Sequence, residues 1–292
     1  MNRSRKYIPI SLIVLVGLVI SLMSCSEAPF EPFGQNFKYP LAVGSSWDFA
    51  QTDIYTRHDT ALTYVSTDTV YGNSSTVVFS YEFVPDISRH VYTFYTEWAT
   101  EFSIRWRSSY YYNHTDGFYY YGGASDIWNG PPKLNPTDVV YEFKGLRASS
   151  LDELTKLVQY GAVRRDNRSL SVSSIENPPV KALAYPPTIG TRWTYRDTDL
   201  GHIWNMEKEV VGTERISVPA GSFECFKVRW YWDTDHDGQW DTDIDGYDYI
   251  SEIGTARRKF IMSNIAMLDY TSVIIGYYDV TQDYTLTDYD LK

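Results

Sequence analysis

Three aspartates at alternate positions, Asp233, Asp235 and Asp237, followed at once by Gly238, form the arrangement in this chain with the clearest chemistry. Carboxylate oxygens are hard ligands. A glycine at the sixth position of such a run lets the chain fold back so that the three acids meet at one cation, and this spacing suits Ca²⁺. Asp233, Asp235, Asp237 and the main-chain carbonyl of Gln239 are the expected primary ligands, with Asp241 and either Asp243 or Asp245 completing the shell. The twelfth position, where a bidentate glutamate would close the sphere, is Ile244, and the following residues read as strand rather than helix. The competing reading is a solvated acidic hairpin tip whose charges discourage edge-to-edge pairing. A bound Ca²⁺ would have a structural role, neutralising the cluster and locking the hairpin.

The Asp-rich run resembles the first half of an EF-hand-type loop, without its closing glutamate or exiting helix. Other chemistries find no support. The nucleophile-elbow, zinc-protease, Cys-x-x-Cys, phosphate-loop and dinucleotide signatures do not occur. His58, His90, His114, His202 and His236 are dispersed and none has metal-ligand spacing to another. Glu97 and Glu101 would share one strand face about 13 Å apart at ~3.3 Å per residue, wider than either glycosidase geometry. Cys225, in a strand-like run, has no neighbouring base to activate it. No catalytic residue is assigned, and the chain is expected not to be an enzyme. Tyr110 to Tyr112 and Phe118 to Tyr121 could stack sugar rings; the plainer expectation is that these aromatics fill the core and edge of a sheet.

The elements that must position these residues begin after a leader. Arg3, Arg5 and Lys6 precede an apolar run from Leu12 to Ile20, and Leu22-Met23-Ser24-Cys25 follows. The charged start and short apolar core make a secretory signal over 1–24 rather than a membrane span. It resembles a bacterial lipoprotein signal, with Met23 in place of the commoner small or β-branched residue. That resemblance implies lipidation of Cys25 and a lipid-anchored location in the cell envelope, more readily the outer membrane than the inner. Residues 25–38, rich in proline and without periodicity, read as a tether.

Loss of Arg3, Arg5 and Lys6 takes the formal charge from −11 to about −14 and leaves about 268 residues. That balance argues against nucleic acid and against adsorption to anionic lipid, leaving the acyl chains as the link to the membrane. With Cys25 lipidated, Cys225 has no partner, so stability must come from a packed core. Twenty-six tyrosines, nine tryptophans and thirteen phenylalanines suit pleated, half-buried surfaces. The chain is expected to be all-β.

Two segments match without a gap at an offset of 146 residues. Tyr39-Pro40, Gly44 and Trp47 recur as Tyr185-Pro186, Gly190 and Trp193, with similar residues between. Proline fixes an extended entry, glycine permits the turn and tryptophan anchors the first strand. A weaker echo relates Asp116-Gly117-Phe118-Tyr119-Tyr120 to Asp245-Gly246-Tyr247-Asp248-Tyr249. The expected organisation is a first β unit over 39–147, a helix and linker over 148–184, and a second β unit over 185–292. Each unit would be an antiparallel, strongly curved sheet or half-barrel. Leucines at helical spacing after Ser150, with Glu153 three residues on, predict one short capped helix to Val158. Glu176-Asn177-Pro178-Pro179 reads as a linker. In the second unit Phe226, Val228, Trp230 and Trp232 alternate and should face the core, with Cys225 on the opposite face.

The second unit resembles a set of uncharacterised bacterial envelope lipoproteins through Tyr185-Pro186, Gly190, Trp193, Tyr195, Val218-Pro219-Ala220-Gly221-Ser222-Phe223 and the strand start at Gly254. The resemblance implies curved antiparallel sheets, sometimes open half-barrels that hold a lipid. Three functions follow: a non-enzymatic binding or assembly module on a lipid tether, which is the preferred expectation; a glycan-binding or glycan-processing surface protein; and a carrier of a lipid or apolar ligand.

Overall fold

Alternation of apolar and polar residues over most of the chain produces strands, and most sequence-neighbouring strands pair antiparallel within one sheet. The computed structural model describes residues 36–100, 104–125, 139–160 and 174–292. Cys25 and Glu101 lie outside the described residues.

The first half runs through β1 (Ser46–His58), β2 (Tyr64–Val84), β3 (Arg89–Thr100), β4 (Ile104–Asn113) and β5 (Gly117–Ser125). A small hairpin, β6 (Val140–Phe143) and β7 (Leu146–Ala148), leads to helix α1 (Leu151–Tyr160), and β8 (Ser174–Ala184) then pairs with β5. The second half is β9 (Arg192–Arg196), β10 (Asn205–Val218), β11 (Gly221–Asp233), β12 (Ile244–Ser251), β13 (Gly254–Leu268) and β14 (Ile274–Asp290). The sheet order is β8-β5-β4-β3-β2-β1-β14-β13-β12-β11-β10-β9. The second half is a six-stranded meander; the first is a five-stranded meander to which β8 adds a sixth strand after β6, β7 and α1, with β6 pairing with β13. β1 pairs with β14 along its whole length, from Ser46 opposite Asp290 to His58 opposite Tyr277. One continuous sheet therefore runs through both stretches and curves into a nearly closed barrel.

The two ends of the sheet, β8 and β9, meet without a backbone ladder among the described residues. Side chains hold this seam. Trp193 Nε1 donates to the Lys181 carbonyl at 2.9 Å, and buried Arg196 on β9 pairs with Glu176 on β8 at 3.0 Å. Residues 176–179, expected as a linker, lie instead within β8. The ladder with β5 slips there, from Tyr120 opposite Val180 to Gly122 opposite Ile175, so the two prolines sit in a bulge on a terminal strand. Proline removes a ladder donor, and such a position tolerates that loss.

The matched segments make matching backbone hydrogen bonds. Gly44 N donates to the Val78 carbonyl at 2.8 Å, and Gly190 N donates to the Val210 carbonyl at 2.8 Å. Ser45 N bonds the Ala42 carbonyl just as Thr191 N bonds that of Thr188. Gly44 and Gly190 hold φ of +91° and +85°, a left-handed turn that a Cβ would strain. The tryptophan that follows each turn is buried.

Helix α1 starts where its capping residues predict. Glu153 N donates to Ser150 Oγ at 3.1 Å, while the Glu153 carboxylate accepts from Ser149 N at 3.1 Å, one residue earlier than in the usual reciprocal box. Leu154 and Val158 are fully buried against Trp204, Met206, Trp232, Met262 and Val280, so α1 packs on the inner face of the sheet. It fills the interior toward the His58 end of β1. The predicted inward row of Phe226, Val228, Trp230 and Trp232 is buried throughout. Cys225 faces the other way, as expected, yet is also fully buried in a small outer cluster with Ile216, Tyr249 and Ala256. Burial pushes its thiol up to about 12, so it is inert as a nucleophile near neutral pH.

Candidate functional site

Inside the barrel, beside α1, lies a cavity of about 190 Å³. Aromatic rings from both halves form much of its wall, among polar and charged groups. Tyr39 stacks on Phe118 with ring centroids 4.5 Å apart, Tyr111 stacks on Phe118 at 4.7 Å, and Trp47 stacks on Phe94 at 5.9 Å. These rings fall on the inner face because strand residues alternate, so Tyr111, Phe118 and Tyr120 turn inward while Tyr110, Tyr112 and Tyr119 do not line the cavity. The proposed sugar platform is therefore split between the two faces of the β4–β5 hairpin.

Charged groups share this interior. Lys208 (β10), Asp248 (β12), Arg258 (β13) and Arg107 (β4) line the cavity, each at an inward register position. Asp248 is 2 % exposed and accepts two short hydrogen bonds: Oδ1 from Arg258 Nε at 2.6 Å and Oδ2 from Trp230 Nε1 at 2.8 Å. Burial alone would raise its pKa, but the Arg258 and Lys208 charges hold it below the ordinary carboxylate value. Lys208 is 3 % exposed and less well served. Its Nζ lies 3.5 Å from Asp248 Oδ2 and 3.4 Å from the Ala182 carbonyl, both long for a hydrogen bond. Its nearest company is aromatic, with the Trp230 ring centroid at 3.7 Å and that of Tyr195 at 4.2 Å. Burial lowers the Lys208 pKa to about 7 despite Asp248.

A second polar group lies deeper, near α1. Gln51 Nε2 donates to Asp53 Oδ2 at 2.6 Å, and Gln159 Nε2 donates to Gln282 Oε1 at 2.5 Å. Burial raises Asp53 to about 6. At the seam, Arg196 Nη1 also donates to His202 Nδ1 at 2.9 Å; burial and the Arg196 charge lower the His202 pKa and favour its neutral form.

The Asp-rich loop joins β11 to β12 on the outside. Asp233, Asp235 and Asp237 present carboxylate oxygens within 4.8 Å of one another. Asp233, 5 % exposed, bonds Gly238 N through Oδ2, while its Oδ1 is buried without a partner. Asp237 Oδ1 accepts from Gln239 N at 2.7 Å. The other expected ligands are engaged elsewhere. Asp241 accepts from Thr234 N and Oγ1 and from Lys144 Nζ at 2.9 Å. Asp243 pairs with Lys144 at 3.0 Å and Asp245 with Arg229 at 3.0 Å. The structure thus gathers three of the named acids and distributes the other three to basic partners. Glu97 lies on β3, and the Glu97–Glu101 pair cannot be measured within the described residues. The five histidines do not share a site: His58 meets Asp279, His114 meets Tyr121, and His202 belongs to the seam.

Sequence reasoning missed the interior charges. Their signal was available in Met206-Glu207-Lys208-Glu209-Val210, where a lysine shares parity with two apolar residues.

No protein family and no curated protein matches the chain. Two solved structures are similar over most of its length. One is a candidate lipoprotein from Parabacteroides distasonis, 13% identical, covering 87% of this chain and 98% of that one, with a TM-score of 0.34. The other is a candidate exported protein with a YmcC-like fold from Bacteroides fragilis, also 13% identical, covering 87% and 99% respectively, with a TM-score of 0.33.

Proposed function

We propose that this chain is a non-enzymatic, lipid-anchored protein of a bacterial cell envelope, held in the outer membrane through Cys25, whose barrel binds a small molecule. The leader ending at Cys25 supports the anchor and the location. The aromatic cavity with buried charges supports the binding role, and it is the observation that carries the reading. Concave sites with aromatic walls and a few placed polar groups are the usual form of a ligand pocket. The cavity is somewhat larger than one of about 150 Å³ that takes benzene, so it suits about one ring and not a two-chain lipid. The matched backbone bonds at Gly44 and Gly190 further support a duplication of one six-stranded unit.

The binding reading is tested on the full-length protein purified from envelope in mild detergent and then denatured, with released small molecules identified by mass spectrometry. Ser109, 5 % exposed, lines the cavity, and Ser109→Phe would occupy it. A compound recovered from the wild type and lost from a folded Ser109→Phe variant is expected. Equal recovery from both, or none from either, refutes an interior ligand.

We also propose that Asp233, Asp235 and Asp237 hold a structural Ca²⁺. Support comes from their convergence and from the buried, unpartnered Asp233 Oδ1. The Gln239 carbonyl and water would supply further oxygens. Addition of 2 mM Ca²⁺ to EDTA-treated protein, roughly the affinity range of extracellular calcium modules, should raise the melting temperature by several degrees. Asp233→Asn should abolish that rise. A melting curve indifferent to Ca²⁺, with no heat of binding, removes the ion from the account.

A further inference from the structure

We propose that the barrel cavity takes a ligand of one ring bearing a carboxylate, with the ring among the aromatic walls and the anionic oxygens completing the hydrogen bonding of Lys208. The inference rests on the binding role proposed above and names the chemical class of the ligand.

Three observations lead there. The first is charge: among the described residues that line the cavity, Arg107, Lys208 and Arg258 are cationic and Asp248 alone is a carboxylate. The chain as a whole carries −11, so cations gathered on this inner wall are a local feature. The second is the hydrogen bonding of Lys208. Asp248 spends its short contacts on Arg258 and Trp230, which leaves Lys208 Nζ with two long contacts, at 3.4 and 3.5 Å, for three donor hydrogens. A buried ammonium so placed has one donor hydrogen beyond its two long oxygen contacts, and a carboxylate within the cavity supplies a closer acceptor in charge-assisted form. The third is size and lining. About 190 Å³ admits one ring, and Tyr39, Tyr111, Phe118, Trp47 and Phe94, stacked partly on one another, line it with their edges and remaining faces. Aromatic and sugar rings both use such faces, so an aromatic acid and a sugar acid present the same recognition chemistry.

Protonation must follow binding. Lys208 is faced by Asp248 on β12, Arg258 on β13, Tyr195 and Arg196 on β9 and the Ala182 carbonyl on β8. Burial, with Arg258 and Arg196, lowers its pKa to about 7 against the opposing pull of Asp248. An anion beside it favours the charged form and raises that pKa. Affinity for the anion is therefore flat below pH 7 and falls as pH rises above 7, until the pKa of the complex is passed.

The experiment is calorimetric titration of the full-length protein in detergent with benzoate and glucuronate, and with their neutral counterparts benzyl alcohol and glucose. At pH 6.5 at least one acid should bind tenfold or more tightly than its counterpart, and a preference for benzoate or for glucuronate assigns the ring. The advantage should shrink below threefold in Lys208→Met, and acid affinity in the wild type should fall at least threefold by pH 8.5. A neutral ring that binds as tightly as its acid overturns the anionic assignment and leaves the binding role intact. If none of the four compounds binds, this inference fails, and the compound recovered from the envelope preparation decides the binding role separately. An acid preference that survives in Lys208→Met also overturns the role given to Lys208.

Discussion

Lys208→Met should make the protein more stable at neutral pH, by on the order of 2 kcal/mol, or about 5 °C in melting temperature for a chain of this size. The expectation runs against the usual effect of a core substitution. Methionine has a similar length and suits the slot between Trp230 and Tyr195, whose ring centroids lie 3.7 and 4.2 Å from the ammonium. It removes the desolvation cost of a buried cation, and the remaining Asp248 keeps Arg258 and the Trp230 indole as partners. The sign with pH is fixed by the same burial. Lys208 titrates near 7 in the fold against 10.5 for the ordinary side chain. Between those limits the unfolded chain holds a proton that the folded chain has released, so this group's contribution to wild-type stability rises with pH. Below 7 both states are charged and the full cost remains. The advantage of the methionine variant should therefore be greatest at pH 6 and shrink steadily toward pH 9.5. Paired urea midpoints across that range measure it, and a gap that stays constant or widens with pH refutes it. Asp248→Ala is the contrasting substitution. It removes the carboxylate that Arg258, Lys208 and the Trp230 indole share and should cost about 3–5 kcal/mol at pH 7. A stabilising lysine deletion beside a destabilising aspartate deletion would show a cation kept at a cost to stability, as expected where a buried charge serves binding.

Much of the scaffold around that lysine is written locally. The parity of Phe226, Val228, Trp230 and Trp232 declares the inner face of β11 because strand side chains alternate. Ser150 and Glu153 declare the start of α1 because they can satisfy amides at the helix start. The pairing of β1 with β14 has no such local sign. It joins residues more than 200 positions apart, and two half-barrels or one continuous sheet suit the same alternation. The bulge at 176–179 was misread for a related reason: two prolines argue against a central strand but not against a terminal one. The candidate site was the least legible part. The Asp233-x-Asp235-x-Asp237 run announces itself in sequence order, whereas Arg107, Lys208, Asp248 and Arg258 come from four strands and meet only once the sheet has curved. Their parity was readable, but their company was not.

The tryptophans of the two matched segments should report on the closure differently. Trp47 is 2 % exposed, stacks on Phe94 and donates its indole N–H to the Ile253 carbonyl at 2.6 Å, linking the first strand to the β12–β13 turn of the other half. Trp47→Ala removes a large buried ring and leaves a cavity among the rings of the interior site, and should cost about 3–5 kcal/mol. Trp47→Phe keeps most of the ring volume and loses the donor, so about 1–2 kcal/mol is expected. Trp193 is 8 % exposed and donates across the seam to β8, where no ladder stands behind it. Its removal should cost less, about 2 kcal/mol, because the site can collapse and Arg196–Glu176 still spans the gap. The local consequence is the sharper one. Hydrogen exchange in Trp193→Ala should speed up in β8 and β9 while β1 and β14 keep their protection, since the seam depends on side chains and the β1–β14 junction on a continuous ladder. Trp47→Ala should instead lower protection throughout, as loss of global stability does. If Trp193→Ala loosens β1 and β14 as much as β8 and β9, the barrel closes cooperatively, and the seam is no weaker than the rest of the sheet.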